Sequence, residues 1–380
     1  MRILYCIPNL GEGGAERQLS YIAAHLSSMG HDVHVASSRG GTNLERFRLA
    51  GVEWHRLGGV CNRDPVILLR LIGLMRRLRP DVVQTILTPM DLMGGAAALL
   101  TRIPWLLRES SSASLYGSGL RHRWRSALAR RAHGIVSNST GGAHYWDSSE
   151  GVRSLDVIRN GVPLDEIEKA SEGFDGDLRL PGGAKRLLFA GRLDDGKNVE
   201  TLIAALSQIA NQSNFVAFIC GDGPRRPRLE RLARELGIGH RVIFTGYVSN
   251  LWTLMKRSDA VVSLSRFEGC PNVVMEAMAS GCPLVVSDIP AHREILDEST
   301  AVFVDSEQPE QAASAIAEVL QFGERTSARA RAAQLKVAQW TVEAAASQYE
   351  MVYLRLHSGA VNLRELPLVA NAECAHANES

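Results

Sequence analysis

No lysine occurs before Lys169, so the positive charge of residues 1–165 rests on 20 arginines, set against 13 carboxylates. The 380-residue chain as a whole carries a net charge of +1, so the remainder is acidic. That balance argues against a dedicated nucleic-acid binder, and the asymmetry points to two units with different partners. Cysteine is scarce. The six cysteines form no C-x-x-C pair and no Cys/His spacing that suits zinc, and they read as small buried hydrophobes of a reducing compartment. Long apolar runs are missing. Val66–Met75, broken by Arg70, and Leu92–Leu100 fall short of a membrane span. The opening MRILYCIPNL runs straight into a glycine-rich loop without a cleavage site, unlike a signal peptide. The expectation is a cytoplasmic protein, soluble or peripheral on the inner face of the membrane.

Two familiar phosphate motifs are also incomplete. After Gly11, Gly13 and Gly14, Glu16 stands where the dinucleotide fingerprint needs its last glycine. Gly191-Arg192-Leu193-Asp194-Asp195-Gly196-Lys197 matches a Walker loop, but Asn198 replaces the Ser or Thr that would hold magnesium, and Asp194 and Asp195 oppose a buried polyphosphate. No D-x-D is placed for a metal.

What is present is ordinary globular composition, with 45% apolar and 22% charged residues, over a length that suggests two domains. Short apolar runs alternate with amphipathic stretches. The first half has runs at Ile3–Ile7, Val33–Ala36, Asp81–Ile86, Trp105–Leu107 and Gly134–Ser137, with helical periodicity at Ala15–Ser28, Val66–Leu78 and Leu120–Ala132. The second half repeats the pattern at Arg186–Ala190, Phe215–Cys220, Val242–Phe244, Ala260–Leu264 and Leu284–Val286. Such alternation predicts α/β architecture, with two doubly wound parallel sheets. The expected domains are 1–165 and 166–340, joined by a polar, glycine-rich linker near 165–183. A helix over 341–357 carries Tyr349 and Tyr353, and 358–380 reads as a frayed tail.

Four segments stand where a strand should end, the edge at which doubly wound sheets bind ligands. The Gly13-Gly14 loop opens a helix and suits an anion. Gly191, Arg192 and Lys197 set two cations beside a helix start, suited to a diphosphate. Gly221-Asp222-Gly223-Pro224 is another glycine turn. In Glu268-Gly269-Cys270-Pro271-Asn272-Val273-Val274-Met275-Glu276, the amides near Asn272 and Val273 offer a further anion site. Glu268 and Glu276, eight residues apart, reach different parts of one ligand rather than forming a close dyad. Each segment read alone is also a plain turn or a solvated face.

The order GGAE, IRNGVP, GRLDDGKN, GDGP and FEGCPNVVMEAMASGCPLVVSD resembles the family 4 retaining glycosyltransferases of the GT-B fold, over the chain to about residue 356. The resemblance implies two facing Rossmann-like domains, the N-terminal one binding the acceptor and the C-terminal one the nucleotide-sugar donor, with a last helix crossing back to the first. It assigns Arg192 and Lys197 to the diphosphate, Glu268 to the donor sugar near its reacting carbon, and Glu276 to the ribose hydroxyls. Gly13 and Gly14 would cover the phosphates. Where many members carry a His after the strand matching Trp105–Leu107, this sequence has Arg108-Glu109-Ser110, which makes Arg108 and Glu109 the acceptor-side candidates. Retention and a UDP-sugar donor follow from the resemblance. A silent sugar-nucleotide-binding subunit and a sugar-nucleotide epimerase are the alternatives.

In this reading no metal or other cofactor is required, because cations and helix amides take up the charge of the departing phosphate. Partners are the nucleotide sugar and a glycan or lipid-linked acceptor. A third partner is suggested by Arg102, Arg108, Arg121, Arg123, Arg125, Arg130 and Arg131 with Trp124, a basic segment suited to an anionic membrane surface.

Overall fold

The computed structural model describes residues 1–62, 64–111, 119–147, 151–170, 180, 182–321 and 323–358. Most of the 165–183 linker and the tail beyond 358 lie outside the described residues. The first half alternates β1 (Arg2–Asn9), α1 (Gly14–Ser28), β2 (Asp32–Arg39), α2 (Leu44–Leu49), β3 (Glu53–Arg56), α3 (Pro65–Leu78), β4 (Val82–Ile86), α4 (Thr88–Thr101), β5 (Trp105–Glu109), α5 (Leu120–Ala129), β6 (Gly134–Ser137), α6 (Thr140–Asp147), β7 (Leu155–Val157) and α7 (Leu164–Lys169). Its seven strands form one parallel sheet in the order β3-β2-β1-β4-β5-β6-β7.

The second half runs β8 (Lys185–Ala190), α8 (Val199–Ile209), β9 (Phe215–Cys220), α9 (Arg226–Glu235), β10 (Val242–Gly246), α10 (Leu251–Lys256), β11 (Ala260–Ser263), α11 (Asn272–Ala279), β12 (Leu284–Ser287), α12 (Pro290–Arg293), β13 (Val302–Val304), α13 (Pro309–Leu320), α14 (Glu324–Val337) and α15 (Val342–His357). Its sheet is parallel in the order β10-β9-β8-β11-β12-β13. Strand order reverses beside β1 and beside β8, and each reversal opens a crevice at the carboxyl ends of the strands.

Each sheet is buried on both faces by apolar side chains, which is why its strands read as short solid runs. Leu92–Leu100 belongs to α4, a helix packed inside the first domain. A side chain at its Gly95 would strike the Trp105 ring. No helix among the described residues is long and apolar enough to cross a membrane.

Near the expected division at 165, the chain leaves the first core at Ile158 and enters the second at Val162. Val162 and Ile167 are buried with Leu188 and Phe218 in the second core, and the Val162 amide donates to the Trp340 carbonyl. Helix α15 packs against the first domain: Ala346, Tyr349 and Tyr353 share a core with Ile3, Tyr5 and Ile22, and the Tyr5 and Tyr353 hydroxyls are 2.8 Å apart.

Candidate active site

A cleft of about 900 Å³ opens between the carboxyl ends of the two sheets and is lined from both domains. On the second domain, Gly191 follows β8 and Gly221 follows β9. Gly221 has φ +130° and lies so close to the Gly191 carbonyl that a Cβ there would overlap it. This approach holds the two loops together. Within the first loop Asp194 accepts from the Lys197 amide at 3.2 Å, and Asp195 pairs with Arg225 at 2.6 Å, so both carboxylates have partners within the second domain. Asn198, at the position where Walker loops bind magnesium, instead donates to the Ser306 carbonyl at 2.7 Å and accepts from Thr201 at 3.0 Å.

The fold brings Lys197 and Glu268 together. The Lys197 ammonium is ion-paired to Glu268 Oε1, which also accepts from the Ser265 hydroxyl at 2.7 Å. Burial would raise the Glu268 carboxyl, but Lys197 and Ser265 outweigh it and hold the carboxyl below its ordinary value. Arg192 lines the same cleft with a largely exposed guanidinium, its Nε 3.7 Å from Asp194. The start of α11 points into the cleft. The Asn272 amide is already used by the Cys270 carbonyl at 3.0 Å, so the free amides of this helix start at Val273 rather than Asn272.

Glu276, which the resemblance assigns to the ribose hydroxyls, lies behind two residues that line the cleft, Arg17 and Trp252. It is 2% exposed and is not part of the cleft wall. Its oxygens accept from Arg17 of α1 and from the Trp252 indole at 3.1 Å. Burial pushes its carboxyl up, against the pull of Arg17 and Trp252. A carboxylate this deep is satisfied by the protein itself, one partner coming from the opposite domain.

From the first domain, Gly13 and Gly14 line the cleft, and a side chain at Gly14 would strike the Asn272 amide group. Arg108 is buried yet reaches the cleft, donating to Asn160 Oδ1 at 2.8 Å. Asn160 Nδ2 in turn donates to Asn272 Oδ1 at 2.8 Å, across the domains. Glu109 departs from its assignment. Side chains alternate along β5, so Arg108 and Glu109 point to opposite faces. Glu109 is buried away from the cleft, accepting from Arg125 at 2.8 Å and from the Trp146 indole at 3.0 Å.

Sequence reasoning missed Arg17, Trp252 and Asn160. Arg17 is four residues past Gly13 on the helix opened by the glycine loop, and Asn160 sits in the IRNGVP motif. Trp252 left no signal in the sequence.

The family model described as Glycosyltransferase Family 4 matches residues 12–166, and the one described as Glycosyl transferases group 1 matches residues 172–336. The chain belongs to glycosyltransferase family 4. An uncharacterized glycosyltransferase of Methanocaldococcus jannaschii is 38% identical over 172 residues, 43% of this chain and 44% of the relative. The Campylobacter jejuni N-acetylgalactosamine-N,N'-diacetylbacillosaminyl-diphospho-undecaprenol 4-alpha-N-acetylgalactosaminyltransferase is 31% identical over 166 residues, 43% of each chain. The matched stretch thus spans less than half the length of either relative. HepE of Anabaena, crystallised with UDP-glucose, superposes on this glycosyltransferase with a TM-score of 0.80 at 20% identity, covering 93% of this chain and 99% of that one. The two facing sheets are the GT-B fold.

Proposed function

We propose that this glycosyltransferase moves a sugar from a nucleotide-sugar donor, a UDP-sugar, to a sugar or lipid-linked glycan acceptor in surface polysaccharide or glycolipid synthesis, with retention of configuration. The observation that carries the reading is the grouping of Arg192, the Lys197–Glu268 pair and the α11 start on one wall of the cleft. Breaking a sugar–phosphate bond leaves extra negative charge on the departing diphosphate and positive character on the sugar ring. Arg192, Lys197 and the Val273 amide meet the first, and the ionised Glu268 meets the second. Arg108 and the Gly13-Gly14 loop face this wall from the acceptor side. The UDP-glucose complex of HepE and the diphospho-undecaprenol named for the Campylobacter relative support the donor and acceptor classes.

The reaction needs no metal in this reading, since the cations and amides of the cleft supply the countercharge. Among the described residues the cleft holds no group of three His, Cys, Asp or Glu placed to share an ion. The test is release of nucleoside diphosphate from a panel of nucleotide sugars with polyprenyl-linked and free glycan acceptors, with and without chelator, and NMR of the product's anomeric carbon. UDP release that survives chelation and an unchanged anomeric configuration are expected. Donor binding without turnover on any acceptor would instead favour a silent binding subunit.

A further inference from the structure

On the first domain, three side chains converge at the start of the sheet edge, remote from the cleft. β2 and β3 run parallel with His34 opposite Glu53, and His55 lies two residues further along β3. The two-residue period of a strand puts all three on one face. His34 Nδ1 is 3.0 Å from His55 Nε2 and 3.4 Å from Glu53 Oε2, and His55 Nε2 is 3.6 Å from Glu53 Oε1. A tetrahedral ion with bonds of ~2.0–2.1 Å sets its ligand atoms ~3.3 Å apart. Each separation is near the edge of such a tetrahedron, with Glu53 turning one oxygen to each imidazole, and one Glu53 oxygen and the two imidazole nitrogens all lie within 4.8 Å of one another.

Two further features suit an ion. His34 is buried, and its other nitrogen, Nε2, has no aligned hydrogen-bond partner but lies 3.1 Å from Asp32 Oδ1. A carboxylate there favours the proton on Nε2 and turns the Nδ1 lone pair toward His55 and Glu53, the arrangement in which carboxylates orient metal-bound imidazoles. Asp32 is itself held by Arg2 at 2.6 Å. The donor set, two imidazoles and one carboxylate oxygen, is that of zinc rather than of magnesium or calcium.

We infer that His34, Glu53 and His55 bind one zinc-class divalent cation, with Asp32 orienting His34, and that the ion clamps edge strand β3 to β2. β3 has four residues and among the described residues pairs only with β2, so it gains little from the sheet itself. The site stands near the amino-terminal ends of the strands, whereas the cleft opens at their carboxyl ends. Transferase turnover is therefore not its readout.

The experiment titrates the full chain with zinc chloride by calorimetry after chelator treatment, and with cobalt(II), whose visible bands are intense when four-coordinate. Wild type should take up one saturable equivalent, with a higher melting temperature and tetrahedral cobalt bands. His55→Ala and, separately, Glu53→Gln on its exposed side chain should lose that equivalent. Asp32→Asn should weaken it by about 10–100-fold. The comparison with His55→Ala removes any ion held by Cys61, Cys374 or His376. If His55→Ala folds poorly, Glu53→Gln carries the same test. Zinc uptake that is absent in wild type, or identical in wild type and Glu53→Gln, overturns the site and leaves a hydrogen bond between two imidazoles.

Discussion

At the scale of single residues, the Lys197–Glu268 pair decides most. Lys197 is both the partner that keeps Glu268 ionised and the cation nearest the donor's leaving group in our reading. Lys197→Ala should lower turnover by about 100-fold or more at saturating donor, with the circular dichroism unchanged. Near-normal turnover would remove Lys197 from the machinery. The pair also has a pH signature. The folded Glu268 carboxyl lies below its ordinary 4.5, so its contribution to stability is whole above that value and is lost as pH falls through the folded value. The stability gap between wild type and Glu268→Gln should stay level across neutral pH and narrow in acid below 4.5. A gap that widens in acid, followed by urea denaturation, would contradict the pairing. That Arg192, Lys197 and Glu268 share one cleft was legible because loop motifs bunch their chemistry within a few residues. The contacts of Glu276 were not, because its partners Arg17 and Trp252 come from distant segments.

At the scale of elements, solid apolar runs revealed ten strands, and the three that escaped have physical reasons. β3 reads EWHR, with no apolar run, because it is an edge strand. β7 and β13 have three residues each, too short for a pattern. Helix α5 shows the limit of reading charge from sequence. Arg125, expected on a basic surface, is buried between Asp91 at 2.7 Å and Glu109 at 2.8 Å, over the Trp146 ring. Arg108 is interior too. Burial pushes the Asp91 carboxyl up, and Arg125 opposes that rise. Arg125→Ala would strand two buried carboxylates and should cost about 3–5 kcal/mol in chemical denaturation. A loss within that of an ordinary surface arginine would show the triad to be idle. The exposed members of the segment that remain for an anionic membrane are Arg102, Arg121, Arg123, Arg130 and Arg131, with the exposed Leu120 and Trp124. Each arginine near such a surface contributes ~1 kcal/mol. We expect sedimentation with anionic but not neutral vesicles at low salt, weakened in the Arg121→Ser, Arg123→Ser double variant. No difference between the two lipids would make this a solvated face.

At the scale of the whole molecule, the two sheets share no strand among the described residues, and polar contacts and one helix join the domains. Arg17 reaches Glu276, Asn160 reaches Asn272, and Glu294 accepts from the Thr140 amide at 3.0 Å and from Arg159 at 3.0 Å. Helix α15 is different in kind. It continues from α14 of the second domain, yet it buries Ala346, Tyr349, Val352 and Tyr353 in the first domain's core. The first core is therefore completed by the last described helix of the chain. Tyr353 is the most connected of these, its hydroxyl meeting both Tyr5 and Gln84. Tyr353→Ala removes a large buried aromatic, a change that typically costs ~3–5 kcal/mol. All of that loss falls on the first domain, although the residue belongs to the end of the chain. Hydrogen exchange should accelerate in β1 and α1, which pack against α15, and stay unchanged in β8 and β9. Equal acceleration in both sheets would mean that the domains unfold as one unit. Unchanged exchange in β1 would mean that α15 is a passenger on a core complete without it.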